Sequence, residues 1–260
     1  MSPPTPRIDL VAALAQATRE ISSSHDLPGV LDTIVHAVRR SCPGVDHAGI
    51  SVKHKDGTIE TLAATDPLVT ALDDLQYQLG EGPCLSAIFD ETPVVTINDA
   101  ARETRWPSFI PPAVELGLRS QLGLRLYVEN TTMGGLNLYS TVARTIDPDV
   151  LATAELFAAS AALALGKARQ EEDLYSALST RKVIGQALGL LMERYELDED
   201  RAFQYLARVS QHSNHKLRDV AAEMVQQANE RNRLPEAAPR LMCPPQTPEK
   251  AKQRAREATS

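Results

Sequence analysis

Residues 181–225 read RKVIGQALGLLMERYELDEDRAFQYLARVSQHSNHKLRDVAAEMV, and three times over their apolar residues recur with the 3.6-residue period of a helix. The first helix is predicted over residues 180–195, with Val183, Ile184, Ala187, Leu190 and Leu191 on one face. Asp198, Glu199 and Asp200 then form an acidic start suited to the positive end of a helix dipole, ahead of an inward stripe of Ala202, Phe203, Leu206 and Val209. Asn214 is placed to cap a third helix, whose stripe is Leu217, Val220, Ala221, Met224 and Val225. Three short helices sharing one apolar centre predict an all-α bundle over residues 180–233.

Upstream of the bundle, residues 147–178 are rich in Ala and Leu and contain only Pro148 and Gly166 as helix breakers, so one long helix is predicted there. Residues 166–179 read as the linker. Leu156, Leu163, Leu174 and Ala177 give a partial a/d seam, interrupted by Ser160, Lys167 and Gln170, and predict a homodimer held by this helix. Before it, residues 8–165 form a larger domain. Apolar residues keep helical rhythm at residues 8–21 and again at Val30, Leu31, Ile34, Val35 and Val38. Alternation at Ala48, Ile50 and Val52, the dipeptide Asp56-Gly57, and Ile59, Leu62 and Ala64 then read as a β-hairpin. A helix from Pro67, the loop Gly80-Glu81-Gly82-Pro83-Cys84 and a strand at residues 94–97 follow. Two more strands are predicted, residues 122–128 and 135–139, joined by a turn at Asn130-Thr131-Thr132-Met133. Helices and strands in this order, without βαβ alternation, predict an α+β domain with an antiparallel sheet flanked by helices.

Composition narrows the function. The chain has 260 residues, 43% hydrophobic and 23% charged, a mix that supports globular domains with cores. Residues 1–172 hold 22 acidic and 13 basic side chains, residues 173–233 nine of each, and residues 234–260 three acidic and five basic. An acidic front half repels phosphate, so a nucleic acid would have to meet local patches in the back half. The five prolines of residues 234–260, set among Lys, Arg and Glu, predict a disordered tail. No signal-peptide pattern and no run of about 18 apolar residues is present, so the expected location is the cytoplasm, with no membrane partner. Cys42, Cys84 and Cys243 are scattered and odd in number, and His25, His36, His47 and His54 show no ligand spacing, so neither a disulfide framework nor a metal site is expected.

Residues 181–225 closely resemble the ANTAR family through Ala187, Gly189, Met192, Ala202, Phe203, Leu206, Arg208, Ser210, Asn214, Lys216, Leu217, Arg218, Val220 and Ala221. The front domain resembles the GAF family through residues 80–84, Pro93 to Asp99, Arg105-Trp106-Pro107, residues 117–120 and 135–140, and the alanine-rich closing helix. The pair is similar to GAF and ANTAR regulators of actinobacteria. That resemblance implies RNA binding by the bundle, to paired hairpin loops in a nascent transcript, which keeps a terminator from forming. It implies that the GAF domain acts as a gate, with a small-molecule ligand whose identity stays unknown. No His lies between Cys84 and Leu165 to serve a haem in the second half of the domain, and the Asn-Lys-x-Phe-Asp-Glu signature of cyclic-nucleotide GAF domains is absent.

For RNA, the candidate residues are Arg181, Lys182, Gln186, Arg208, Asn214, His215, Lys216 and Arg218. Guanidinium and ammonium groups suit phosphates and splayed bases, and Asn and His suit base edges. Each alone also reads as part of a solvated face. Arg201, beside Asp198 and Asp200, reads as an intrahelical pair. Gly185 and Gly189 cost a helix about 1 kcal/mol each relative to Ala and need a reason, either packing against a neighbouring helix or close approach of RNA. Many ANTAR sequences carry Lys between the Ala and Gly of helix one, where this chain has Leu188. For a ligand of the front domain the candidates are Cys84, Trp106 and Phe109, each of which also reads as plain core. No G-x-S-x-G, H-E-x-x-H or Walker lysine is present, so no enzyme activity is expected. Two other classes stay open: a ligand-sensing module whose bundle docks a protein, and a helix-turn-helix DNA binder using residues 211–215 as its turn.

Overall fold

The structure, a computed structural model, describes residues 26–143 and 145–233. The helix predicted over residues 8–21, His25, Cys243 and the Pro-rich tail lie outside the described residues. The chain divides into two compact units, residues 1–173 and 174–260.

In the first unit the elements follow in the order α1 (Leu27–Ser41), β1 (His47–Lys53), β2 (Ile59–Ala64), α2 (Pro67–Leu79), α3 (Pro83–Phe89), β3 (Val94–Ile97), α4 (Ile110–Glu115), β4 (Ser120–Val128), β5 (Thr131–Ser140) and the beginning of α5 (Pro148–Tyr195). The five strands form one sheet in the order β2-β1-β5-β4-β3, antiparallel at every pairing. This is the predicted α+β arrangement. Because successive side chains alternate across a strand, Ala48 and Ile50 on β1, Leu122, Leu124 and Leu126 on β4, and Leu136 and Leu138 on β5 share one face. They are buried in one apolar cluster with Leu31, Ile34, Val35 and Val38 of α1 and Ala154, Phe157, Ala161 and Leu165 of α5. The opposite face meets α2 and α3. Its apolar part holds Val69, Leu72, Val95, Ile97, Trp106, Phe109, Leu118 and Tyr139.

Two expectations about how elements connect are corrected. The β4–β5 connection is Glu129-Asn130 alone, with Glu129 at φ 56, and Thr131 already pairs with Val128. The β-branched threonines favour the ladder over the turn. The long helix and the first bundle helix, predicted as separate, form the uninterrupted 48-residue α5. Nothing between residues 167 and 184 is Gly or Pro, and Ser179-Thr180 alone does not stop a helix. By length and composition α5 is apolar enough to cross a membrane. Its apolar residues Ala154, Phe157, Ala161 and Leu165 are nevertheless those that pack under the sheet.

The second unit contains the end of α5, α6 (Glu199–Ser213) and α7 (Leu217–Arg233). Ala187, Leu191, Ala202, Leu206, Val220 and Ala221 close its core, ringed by half-buried Val183, Ile184, Leu188, Val209, Leu217, Met224 and Val225. Asp198 is the N-cap of α6, its Oδ1 accepting the Arg201 N–H at 2.8 Å. Asn214 does not cap α7. It ends α6 in the left-handed conformation at φ 55, which Asn tolerates better than most residues. The start of α7 is closed instead by the Lys216 carbonyl, which accepts the Asp219 N–H at 2.8 Å. Phe203, expected inward, is 47% exposed, because Ala202, Leu206 and Val209 already fill the inward spacing and Phe203 falls one position off it.

Candidate functional site

Between the sheet and its covering helices α2 and α3 lies a buried cluster of hydrogen-bonding side chains. Ser51 of β1 and Asn137 and Tyr139 of β5 point from the sheet, while Asp73, Gln76 and Tyr77 of α2 and Cys84 of α3 point toward it. Asp73 is the centre. Its carboxyl accepts from Tyr139 Oη, from Thr61 Oγ1 at 2.9 Å and from Asn137 Nδ2 at 3.3 Å. Complete burial pushes the Asp73 pKa up to about 7, against the hydrogen bonds from Tyr139 and Thr61, which favour the carboxylate. Ser51 Oγ gathers a second set, from Tyr77 Oη at 2.7 Å, Asn137 Nδ2 at 3.1 Å and Cys84 Sγ at 3.5 Å.

The loop before α3 makes this layer possible. Gly82 at φ 135 leaves the hollow that Gln76 fills, and Gln76 Oε1 accepts the Cys84 N–H at 2.9 Å at the open start of α3. Gly123 of β4 lets that first turn rest on the sheet, since a Cβ there would stand 3.2 Å from the Pro83 carbonyl oxygen. Beside Tyr139, its ladder partner Gln121 is fully buried, and neither atom of its amide has a hydrogen-bond partner among the described residues. Asn137 Oδ1 is likewise unpartnered. Unpaired buried polar groups cost about 1–3 kcal/mol each, so these amide atoms are the unsatisfied hydrogen-bonding capacity of this face.

Of the three ligand candidates read from sequence, the structure brings Cys84 into the polar cluster. Burial pushes its pKa up to about 12, so it is a protonated wall residue and not a ready nucleophile. Trp106 and Phe109 are buried in the apolar cluster that also holds Tyr139, and the Arg105 guanidinium covers the Trp106 ring at 4.4 Å. Asp73, Gln76, Tyr77, Ser51, Gln121 and Asn137 escaped the sequence reading. The available signal was in α2, where Asp73 and Gln76 stand four and seven residues after Val69 on the stripe that Leu72 also occupies.

On the second unit all eight RNA candidates are exposed. Arg181, Lys182 and Gln186 lie on α5, Arg208 on α6, and Asn214, His215, Lys216 and Arg218 at the α6–α7 turn. The turn is fixed by Ser210 Oγ, which donates to the His215 carbonyl at 2.6 Å. Arg218 Nε lies 3.2 Å from Asp219 Oδ1, an exposed pair that is weak in water. Arg201 Nε stands 3.6 Å from Asp198 Oδ2, as its spacing suggested.

Comparison with known proteins agrees with this division. A GAF domain model matches residues 24–166 and an ANTAR domain model matches residues 172–225. No match was found among curated proteins. Among solved structures the chain is similar to the chromophore-binding domain of an unusual bacteriophytochrome from R. palustris, at 16% identity and a TM-score of 0.52, over 66% of this chain and 64% of that one. It is also similar to the phycoerythrobilin-bound GAF domain of a cyanobacterial phytochrome, at 18% identity and a TM-score of 0.50, over 63% and 97%. The GAF domain of a phosphoenolpyruvate-protein phosphotransferase from Coxiella burnetii is similar at 18% identity and a TM-score of 0.50, over 64% and 98%. At such identities the likeness is one of fold. GAF and ANTAR domains are regulatory domains. With the GAF match covering more than half of its length, this chain belongs to the GAF domain family and carries an ANTAR domain behind its GAF domain.

Proposed function

We propose that this protein is a cytoplasmic regulator, not an enzyme, whose GAF domain gates an ANTAR bundle that binds paired RNA hairpin loops and acts by transcription antitermination. The observation that carries this reading is at Gly185 and Gly189. Both are exposed in mid-helix, and a Cβ added to either would meet nothing within 4 Å. Packing inside the bundle therefore does not account for residues that cost the helix about 1 kcal/mol each. By helical spacing they share a face with Lys182 and Gln186, a flat strip suited to close approach of an RNA backbone. Arg181, Arg208, Lys216 and Arg218 supply further cations, and Asn214 and His215 supply groups for base edges.

Two hairpins call for two bundles, and a homodimer supplies them on one particle. Support comes from Leu156, Leu163 and Leu174, which are 48%, 63% and 60% exposed on α5. Light scattering at tens of micromolar tests this, and a monomeric mass removes it. For the GAF domain the signal is a small polar molecule, because the hydrogen-bonding groups of the Asp73 cluster are hydroxyls, amides, the Cys84 thiol and a carboxyl that burial disposes toward its protonated form. Trp106 and Phe109 back it from the apolar side.

Competition between an RNA hairpin pair and duplex DNA at matched salt tests the central claim. RNA is expected to bind and to resist DNA. If DNA wins, the helix-turn-helix reading replaces it. If neither binds, the bundle docks a protein, a reading that the half-exposed Phe203 would serve.

A further inference from the structure

Helix α6 carries a second outward feature, of which the candidate residues above include only Arg208. Arg201, Tyr205, Arg208 and His212 are spaced i, i+4, i+7 and i+11, so they share one face of α6, and all four are exposed. At the end of α5, Tyr195 meets Tyr205 with ring centroids 5.7 Å apart and planes tilted by 32°. The two rings are 49% and 41% exposed. The Arg194 guanidinium lies 5.6 Å from the Tyr195 ring centroid. Arg194 also lines, with Gln227, Glu230, Arg231 and Arg233, an open depression of ≈ 730 Å³. Of the nearby carboxylates, Asp198 is occupied as the N-cap of α6 and in its loose pair with Arg201, and Glu230 shares the depression with Arg194, Arg231 and Arg233.

We infer that the Tyr195–Tyr205 pair and the arginines around it form a stacking platform for an unpaired base of the RNA loop. The inference rests on the RNA-binding reading and adds to it a site and a mode of contact. Two aromatic rings left about half exposed, with the Arg194 guanidinium beside one and Arg201 and Arg208 on the helix face of the other, match what a splayed base and its flanking phosphates require. Aromatic planes stack on any base, and arginine meets both phosphate and ring. Duplex nucleic acid offers neither an unstacked base nor a fit to a tilted ring pair, so the platform selects single-stranded loops. It accounts for recognition by a bundle whose acidic and basic groups nearly balance, because stacking does not depend on net charge.

The test uses the full chain and an RNA hairpin carrying 2-aminopurine at successive loop positions. Wild-type protein is expected to alter the probe's emission at one or two positions by stacking on it. Tyr205→Leu and Tyr195→Leu are each expected to weaken hairpin binding roughly ten-fold, and Tyr205→Phe to bind like wild type. A pair that only sealed the rim of the bundle would lower the melting temperature and leave affinity alone, so thermal unfolding is followed in parallel. Wild-type protein that binds the hairpin while both leucine variants bind equally well overturns the platform and leaves the RNA reading standing. Equal displacement by duplex DNA also overturns the platform. Wild-type protein that binds no hairpin overturns both.

Discussion

Gln76 Oε1 accepts the backbone N–H of Cys84 at 2.9 Å, and it reaches that position through the space left by Gly82. The relationship ties α2 to the start of α3 and closes the GAF polar layer. A Cβ on Gly82 would stand 2.3 Å from Gln76 Oε1, on a backbone at φ 135 that side chains rarely adopt. Gly82→Ala is expected to destabilise the domain by on the order of 2–3 kcal/mol. Gln76→Ala should cost on the order of 1–2 kcal/mol through the lost hydrogen bond. Because the two share one cause, the double variant should lose less than the sum. Thermal unfolding followed through Trp106, the chain's one tryptophan, measures all three. Strict additivity would mean that Gln76 does not occupy the Gly82 hollow in solution.

Asp73 gives the domain a pH dependence of definite sign. Burial raises its folded pKa from the ordinary aspartate value of about 4 to about 7. The folded state therefore holds its proton where the unfolded state has released it, and stability falls as pH rises through the window from about 4 to about 7. Below the window both states are protonated and above it both are ionised. Asp73→Asn removes the titration and keeps an acceptor for Tyr139 Oη, so it should flatten this part of the profile and stabilise the protein at pH 8, by on the order of 1–3 kcal/mol. Denaturant melts of both proteins at pH 5 and pH 8 check it. A variant with the same pH slope as wild type would place the titrating group elsewhere.

Much of the fold was legible because its elements follow strong periodicity. The leucines of β4 and β5 alternate, the stripe Val30, Leu31, Ile34, Val35 and Val38 is fully inward on α1, and the three bundle helices keep one apolar centre. Cys84 was legible as a candidate because a Gly-Pro turn presents it. The site around it was not, because Asp73, Ser51 and Asn137 are 22 to 86 residues apart in sequence and meet only through the order β2-β1-β5 and the return of α2 over it. Local patterns carry no information about such meetings. Asn214 was misplaced for a related reason: as a helix cap it fits the end of α6 as well as the beginning of α7, and the left-handed turn decides.

Lys216 and Arg218 test the RNA face at the α6–α7 turn. Both are exposed and off the Leu217, Val220, Ala221 stripe, so Lys216→Ala and Arg218→Ala should change stability by no more than about 0.5 kcal/mol. Each lost phosphate contact should weaken hairpin binding and lower the slope of log K against log salt by about 0.7. Titrations at several salt concentrations check both variants. Unchanged affinity and slope in the two would move the RNA face away from this turn.

Leu188 is the position where this chain departs from the lysine that many ANTAR sequences carry. It is half-buried at the rim of the bundle core, between buried Ala187 and exposed Gly189, whose missing side chain leaves open space beside it. A lysine stem there can keep covering the rim while its ammonium reaches water, so the Leu188→Lys variant should fold with little loss. If the flat strip at Gly185 and Gly189 meets an RNA backbone, the new ammonium stands at its edge and neutralises one more phosphate. Hairpin affinity should then rise at low salt, and the dependence of log K on log salt should steepen by about 0.7, the contribution of one single-strand phosphate. The salt slope matters more than the affinity alone, because a change in bundle stability shifts affinity without adding a released counterion. Measuring both proteins between about 50 and 200 mM salt separates the two effects. A folded Leu188→Lys protein with wild-type affinity and slope would mean that residue 188 does not face RNA, and the strip along helix α5 would have to be given up as part of the binding surface.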